Sequence, residues 1–371
     1  KLNLLQNNMG GRMSYCATAQ WWMEGKTHYT RSGFLKHSAH FLPDAIPADL
    51  TGTSIAVTGA NSGLGLAVSK QLAKRNATVH MLCRNRERGQ KALESIQQEC
   101  TLATATTVQL HIVDISDVLS VQNFCHQFKT SGNRLNTLIN NAGVVPETRM
   151  VTKDGNEVSF ATMAGGSFLL TSLLLPVLQQ EKHSRVINVS SAGMYTTKLD
   201  VDNIQCDQDK EYDGVFAYAH AKRAQVILTE MFQQKGGDNS SGGGGGGGGG
   251  DSGGSGGSKS ASASVGGGAF PTFHSCHPGW SDTPGVQGKS MEWFNKQMQG
   301  NLRDPNEGGM DTVLWLAVGN DERLDTNGGH FWFDRNIARQ HMTMAWTKES
   351  ETERTALWTK LCEMFNHVPD L

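Results

Sequence analysis

The chain has 371 residues, with 33 Lys+Arg against 35 Asp+Glu and a formal net charge of −2. That length buries a full core and permits two domains. So even a charge balance exerts no long-range pull on nucleic acid or an anionic membrane, and neither partner is expected. Seven cysteines (Cys16, Cys83, Cys100, Cys125, Cys206, Cys276 and Cys362) are scattered with no Cys-x-x-Cys pair. The spread suits free thiols in a reducing, cytoplasmic setting better than a disulfide framework. His274-Ser275-Cys276-His277 has a metal-like composition but no second cluster to complete a ligand set, so no metal is expected.

Residues 1–50 read as an N-terminal extension carrying short helices. Residues 1–43 hold one acid, Glu24, against Lys1, Arg12, Lys26, Arg31 and Lys36. Such a leader can be a mitochondrial address, but its helical arginine face is poor, so the cytoplasm is the stronger expectation. Trp21, Trp22, Tyr29 and Phe34 either anchor at a membrane interface or pack on the domain, and packing is the stronger reading.

From Ser54 onward short apolar strands alternate with amphipathic helical patterns. The strands are expected at 54–58, 78–83, 108–113, 137–140, 185–190, 270–276 and 330–333, with helices at 66–74, 87–98, 118–129 and 219–233. Apolar strands alternating with helices argue a parallel sheet covered on both faces. The expected fold is α/β, a single doubly wound Rossmann domain over 51–335 with a mainly parallel seven-stranded sheet. Phe168 to Leu178 is the most apolar run, but Thr171, Ser172 and Pro176 interrupt it. It falls short of the ~20 residues a bilayer needs, so no transmembrane helix is expected. Residues 236–268 include the nine consecutive glycines Gly242–Gly250 and read as a disordered, removable insert. In the tail, 336–371, helical spacing between Lys348 and Phe365 predicts a terminal helix.

The chemistry begins at Thr58-Gly59-Ala60-Asn61-Ser62-Gly63-Leu64-Gly65, between the first strand and the first helix of the domain. There the backbone of Gly59, Asn61, Ser62, Gly63, Leu64 and Gly65 can approach a pyrophosphate at a helix N-terminus. A glycine turn alone is weak, and its place after a strand and before a helix makes dinucleotide binding the better reading. Arg84 and Arg86 follow the second strand, where an acid would grip a ribose 2′-hydroxyl and an arginine accommodates a 2′-phosphate. No acid stands there, so NADP is expected over NAD, with Arg84 the stronger candidate and Arg86 a solvated first-turn charge. Asp114, with Ile115 beside it, is placed to accept a hydrogen bond from an adenine amino group. Asn141, Ala142 and Gly143 end the fourth strand, where small residues let backbone approach a ligand.

Ser191 ends the fifth strand, and Tyr218 and Lys222 lie four apart on one helical face. Carbonyl reduction needs a hydride donor and a proton for the developing alkoxide. A phenol of pKa near 10 shuttles poorly at neutral pH, and bringing it to 7 takes about 4 kcal/mol. An ammonium about 4 Å away at an effective dielectric near 20 supplies that much. Lys222 is expected to be that cation, and the Ser191 hydroxyl to hold the substrate oxygen.

Taken together, these residues resemble the short-chain dehydrogenase/reductase superfamily over Ser54 to about Phe333. The resemblance implies an oxidoreductase that moves a hydride between NADP(H) and a small-molecule carbonyl or alcohol. It also implies that Pro278, Gly279 and Thr283, in Pro278-Gly279-Trp280-Ser281-Asp282-Thr283, fix the nicotinamide carboxamide. A narrower likeness to one orphan subgroup comes from Tyr29–Phe34, Ser190–Met194, His277–Val286 and Phe333-Asp334-Arg335. Val144, Met194 and Trp280 near the motifs favour a lipophilic substrate. Family members pair helices into dimers or tetramers, so a homo-oligomer stays open, with the terminal extensions standing against it. One departure is Met163, which stands where the superfamily often has a relay asparagine and cannot replace an amide's hydrogen bonds. It motivates the alternative of a non-catalytic nucleotide-binding or redox-sensing module. Another is the acidic stretch Leu199–Gly214 between Ser191 and Tyr218, read as a solvated loop rather than a flap over the substrate mouth.

Overall fold

The computed structural model describes residues 15–100, 107–208, 211–240 and 270–371, with only the backbone given for 238–240. Eight strands form one sheet in the order β3-β2-β1-β4-β5-β6-β7-β8. They are β1 Ser54–Thr58, β2 Thr78–Cys83, β3 Val108–Ile112, β4 Thr137–Asn140, β5 Arg185–Val189, β6 Thr272–His277, β7 Phe331–Phe333 and β8 Asn336–Ile337. Neighbours from β3 through β7 run parallel, in registers such as Val57↔Met81 and Asn140↔Asn188. Every residue of β1, β4, β5 and β6 is buried, as expected where helices cover both faces.

The seven-stranded expectation is corrected by β8, which pairs antiparallel with β7 through Trp332↔Ile337 and Phe333↔Asn336. The two linking residues, Asp334 and Arg335, have φ of 46° and 58°. Positive φ at both central positions is the geometry of a tight two-residue hairpin. Asp334 tolerates that conformation but Arg335 does not favour it, so the turn carried only a weak local signal.

The helices are α1 Tyr15–Glu24, α2 Arg31–Ser38, α3 Gly63–Ala73, α4 Arg86–Glu99, α5 Val118–Thr130, α6 Val158–Leu178, α7 Gly214–Ser240, α8 Glu292–Met298, α9 Asp311–Val318, α10 Arg323–Thr326 and α11 Glu351–Phe365. Side-chain caps fix several starts: Asn85 accepts from Arg88 N, Asp117 from Ser120 N, and Ser350 with Glu353 forms a capping box. Apolar faces of α3, α4 and α9, including Val68, Leu72, Ile96 and Leu314, fill one side of the sheet. Phe124, Phe168, Ile227 and Leu361, from α5, α6, α7 and α11, fill the other. The expected glycine-rich insert begins later than Gly236, because α7 continues to Ser240, and residues 241–268 lie outside the described residues.

Helix α6 is longer than its sequence suggested. Gly165 and Gly166 do not break it, and one π-helical turn at Ala161–Gly165 carries it on to 21 residues in all. By length and composition it could cross a membrane, yet nearly all of it is buried between the sheet and its neighbouring helices. The tail is fastened to α7 by charge as well as packing. Wholly buried Arg223 donates to Glu349 Oε2 at 2.7 Å and to Gln340 O at 2.6 Å, and Arg354 pairs with Glu230.

Candidate active site

The sheet order reverses between β1 and β4, and open α/β sheets bind ligands in the crevice at such a point. Here a cavity of about 660 Å³ opens at the carboxyl ends of β1, β4, β5 and β6. It is lined by Gly59, Asn61, Ser62, Gly63 and Leu64 at one wall, Arg84, Asp114 and Ile115 at its outer end, Asn141, Ala142 and Gly143 on the floor, and Pro278, Gly279 and Thr283 opposite. Ser191, Tyr218 and Lys222 line the same cavity. Gly65 alone among the expected site residues does not. A Cβ there would lie 2.5 Å from both Gly59 O and Asn141 Nδ2, so Gly65 is a packing position beneath the turn.

The turn itself is shaped for a close ligand. Gly59 and Gly63 have φ of 66° and 52°, which side chains disfavour. Ser62 makes no capping hydrogen bond, so its side chain occupies none of the amides at the start of α3. Thr58 Oγ1 accepts from Asn141 N and Ala142 N, both at 2.9 Å, and Asn141 Nδ2 donates to Thr58 O. The Asn141 amide therefore binds the two loops to each other. A Cβ on Gly63 would stand 3.3 Å from Thr283 Cγ2, which brings the loop after β6 across the turn.

At the outer end, the Arg84 Nε lies 3.9 Å from Asp114 Oδ2. Asp114 Oδ1 accepts from Ser116 N and Ser116 Oγ, so this carboxylate is tied into its own turn and to Arg84. Asn85 and Arg88 also line this end. Arg88 escaped the sequence reading, although it stands one helical turn beyond Arg84. Gly279, with φ of 81°, lies flat on buried Arg303, whose Nε would be 2.1 Å from a Cβ there. Arg303 pairs with Asp334 at 2.6 and 2.9 Å, an internal ion pair that supports the Pro278-Gly279 loop from behind.

At the expected catalytic residues, Ser191 Oγ accepts from Gly193 N at 3.1 Å, and a hydrogen bond joins the Ser191 hydroxyl to the Tyr218 phenol. Tyr218 is half-buried on α7, and Lys222 one turn on is 3% exposed. Lys222 Nζ donates to Val189 O at 2.6 Å and to Gln225 Oε1 at 3.0 Å, and lies 5.7 Å from the centre of the Tyr218 ring. Burial pushes Lys222 down to about 7. Burial also raises the Tyr218 phenol above its ordinary value, with only the Ser191 hydrogen bond acting the other way. The expected lowering of the phenol by Lys222 is thus corrected: burial raises the phenol and lowers the lysine, so each is pushed toward its neutral form.

Met163 is wholly buried, with its Sδ 3.2 Å from where a Gly143 Cβ would be and Lys222 Nζ 3.7 Å from that same point. Beside it, Gln225 accepts from Lys222 Nζ through Oε1 and reaches Ser167 Oγ at 3.3 Å through Nε2. Gln225, three residues after Lys222, could have been read from its spacing on α7. Leu199, Ile204 and Cys206 are buried, so the acidic stretch is anchored to the domain.

A short chain dehydrogenase family model matches residues 53–199. Bovine dehydrogenase/reductase SDR family member 12 is 37% identical over 342 residues, covering 92% of this chain and 95% of its own length. Human retinol dehydrogenase 11 is 29% identical over 316 residues, 85% of this chain and 86% of the relative. Among solved structures, a Shigella flexneri short chain dehydrogenase complexed with NADP matches with a TM-score of 0.53 at 18% identity, over 78% of this chain and 99% of that one. With a reversed parallel sheet, a glycine turn at its crevice and relatives this similar along nearly their whole length, the chain belongs to the short-chain dehydrogenase/reductase family of oxidoreductases.

Proposed function

We propose that the protein is an NADP(H)-dependent oxidoreductase that interconverts a carbonyl and an alcohol on an uncharged, apolar small molecule. The observation that carries this reading is that Ser191, Tyr218 and Lys222 share one cavity with Arg84, Arg88 and the start of α3. The cavity fits a dinucleotide: positive-φ glycines leave room at the turn, and guanidinium groups stand at the adenosine end. Bound there, NADPH supplies the hydride or NADP⁺ accepts it. Tyr218 Oη gives the proton to the substrate oxygen in reduction and takes it back in oxidation. Ser191 Oγ accepts from Gly193 N, and its hydroxyl, shared with the Tyr218 phenol, would turn to stabilise charge on that oxygen once substrate is bound. Lys222, titrating near neutrality and held by Val189 O and Gln225 Oε1, would return a proton to Tyr218 and regain its own from water entering the cavity.

Among the described residues, the charged side chains lining the cavity are Arg84, Arg88, Asp114 and Lys222. None faces the Trp280 end, which supports a neutral substrate. A relative named for retinol supports a lipophilic one. Gln225 offers Lys222 an amide contact despite Met163, which weighs against the non-catalytic alternative. NADPH oxidation against a panel of aldehydes, ketones and quinones tests the proposal. Tyr218→Phe should lower kcat by a factor of roughly 100 or more while NADPH affinity holds. Rates indifferent to that substitution would refute the catalytic reading.

A further inference from the structure

The far end of the cavity is walled by indoles, and one of them comes from the N-terminal helix. Trp21 on α1 and Trp280, Trp293, Phe294, Met291 and Val286 after β6 line it together. The Trp21 and Trp280 rings lie 5.2 Å apart, and Trp280 meets Phe294 edge-on at 4.9 Å. This arrangement is built rather than incidental. Gly25 lies flat on Trp280, where a Cβ would fall 2.0 Å from the ring. Trp280 N donates to Tyr29 O at 2.7 Å, and Arg303 Nε to the same carbonyl at 2.9 Å. Residues 21–29 and 280–303 thus form one continuous wall.

Trp21 also reaches the catalytic turn. Its indole Nε1 donates to Ala192 O at 2.9 Å, one residue past Ser191, and Ala192 is wholly buried. On the other side of that peptide, Ala192 N donates to His277 Nδ1 at 3.1 Å. The Ser191 turn is therefore held between an indole from the N-terminal segment and an imidazole at the end of β6. Among the described residues no charged side chain lines this wall, and indole faces favour flat, polarisable groups over puckered aliphatic ones.

Building on the oxidoreductase reading above, we propose that Trp21 is both the specificity-determining wall for flat, aromatic or conjugated carbonyl substrates and the positioning residue for the Ser191 turn. Its two tasks separate by substitution: Trp21→Ala removes the wall and the donor, whereas Trp21→Phe keeps a ring and removes only the donor.

The test compares acetonaphthone, which is flat, with cyclohexyl methyl ketone, which is puckered, on the NADPH-loaded protein, by calorimetric affinity and by kcat and KM. NADPH affinity of each variant reports folding at the other end of the cavity. Wild type should prefer acetonaphthone, and Trp21→Ala should cut that preference at least tenfold. Gly25→Ala, which displaces Trp280, should cut it as well. Trp21→Phe should keep the preference within threefold in KM and affinity yet lower kcat for both ketones. Equal loss on both ketones in Trp21→Ala, an unchanged preference, or binding of neither ketone by the wild type would overturn the proposal. Binding that shows the preference without turnover would uphold the role of Trp21 as wall and defeat the oxidoreductase reading instead.

Discussion

Lys222 carries a cost that can be measured without any substrate. It is 3% exposed, and burial pushes it from 10.5 down to about 7 despite hydrogen bonds to Val189 O and Gln225 Oε1. The unfolded chain therefore binds more protons than the folded one between those two values. Stability must rise with pH across that window, and the full penalty applies below about 7. The drop in pKa corresponds to about 5 kcal/mol, of which about 2 kcal/mol is relieved between a pH near 7 and one near 9. Lys222→Met removes the titration while keeping an apolar stem of similar length. Urea unfolding of both proteins at the two pH values, in the absence of cofactor, gives the difference directly, because every other titrating group is common to both. Wild type should gain about 2 kcal/mol more than the variant on going to the higher pH. An equal gain in both, or a larger one in the variant, would refute the claim that burial governs this lysine.

Three further outcomes follow from the same geometry. Arg84→Glu should lower the preference for NADPH over NADH by roughly tenfold to a hundredfold, read as the ratio of the two Kd values, since a charge-assisted contact of about 1.5–3 kcal/mol is reversed in sign. Gly65→Ala, with its Cβ 2.5 Å from Gly59 O and Asn141 Nδ2, should destabilise the fold by about 1–3 kcal/mol, and an unchanged thermal midpoint would count against the packing role. Arg303→Met leaves the buried Asp334 carboxylate with only His37 as a partner, so unfolding free energy should fall by about 3–5 kcal/mol.

Much of this protein is written locally. The parallel strands, the glycine turn, Ser191 and the Tyr218–Lys222 pair announce themselves through periodicity and spacing, and the structure gathers them within one cavity. What escaped has physical reasons. Strand β8 depends on left-handed conformations at Asp334 and Arg335, and the arginine lacks the glycine that usually marks such a turn. Helix α6 runs through Gly165 and Gly166 because burial of its apolar surface outweighs their poor propensity. The direction of the Tyr218 shift depends on how much water the surrounding residues exclude, which pairwise charge arithmetic ignores. The Trp21 contact spans 171 positions to Ala192, and a tryptophan in an apparent leader gives no hint of it.

The neighbouring residues Lys222 and Arg223 look in different directions from one turn of α7. The first enters the cavity, and the second grips Glu349 and Gln340 of the tail. The tail and the proposed reaction centre are thus held by adjacent residues of one helix, so on the proposed function removal of residues 340–371 should disturb the setting of Lys222 as well as the stability of the domain.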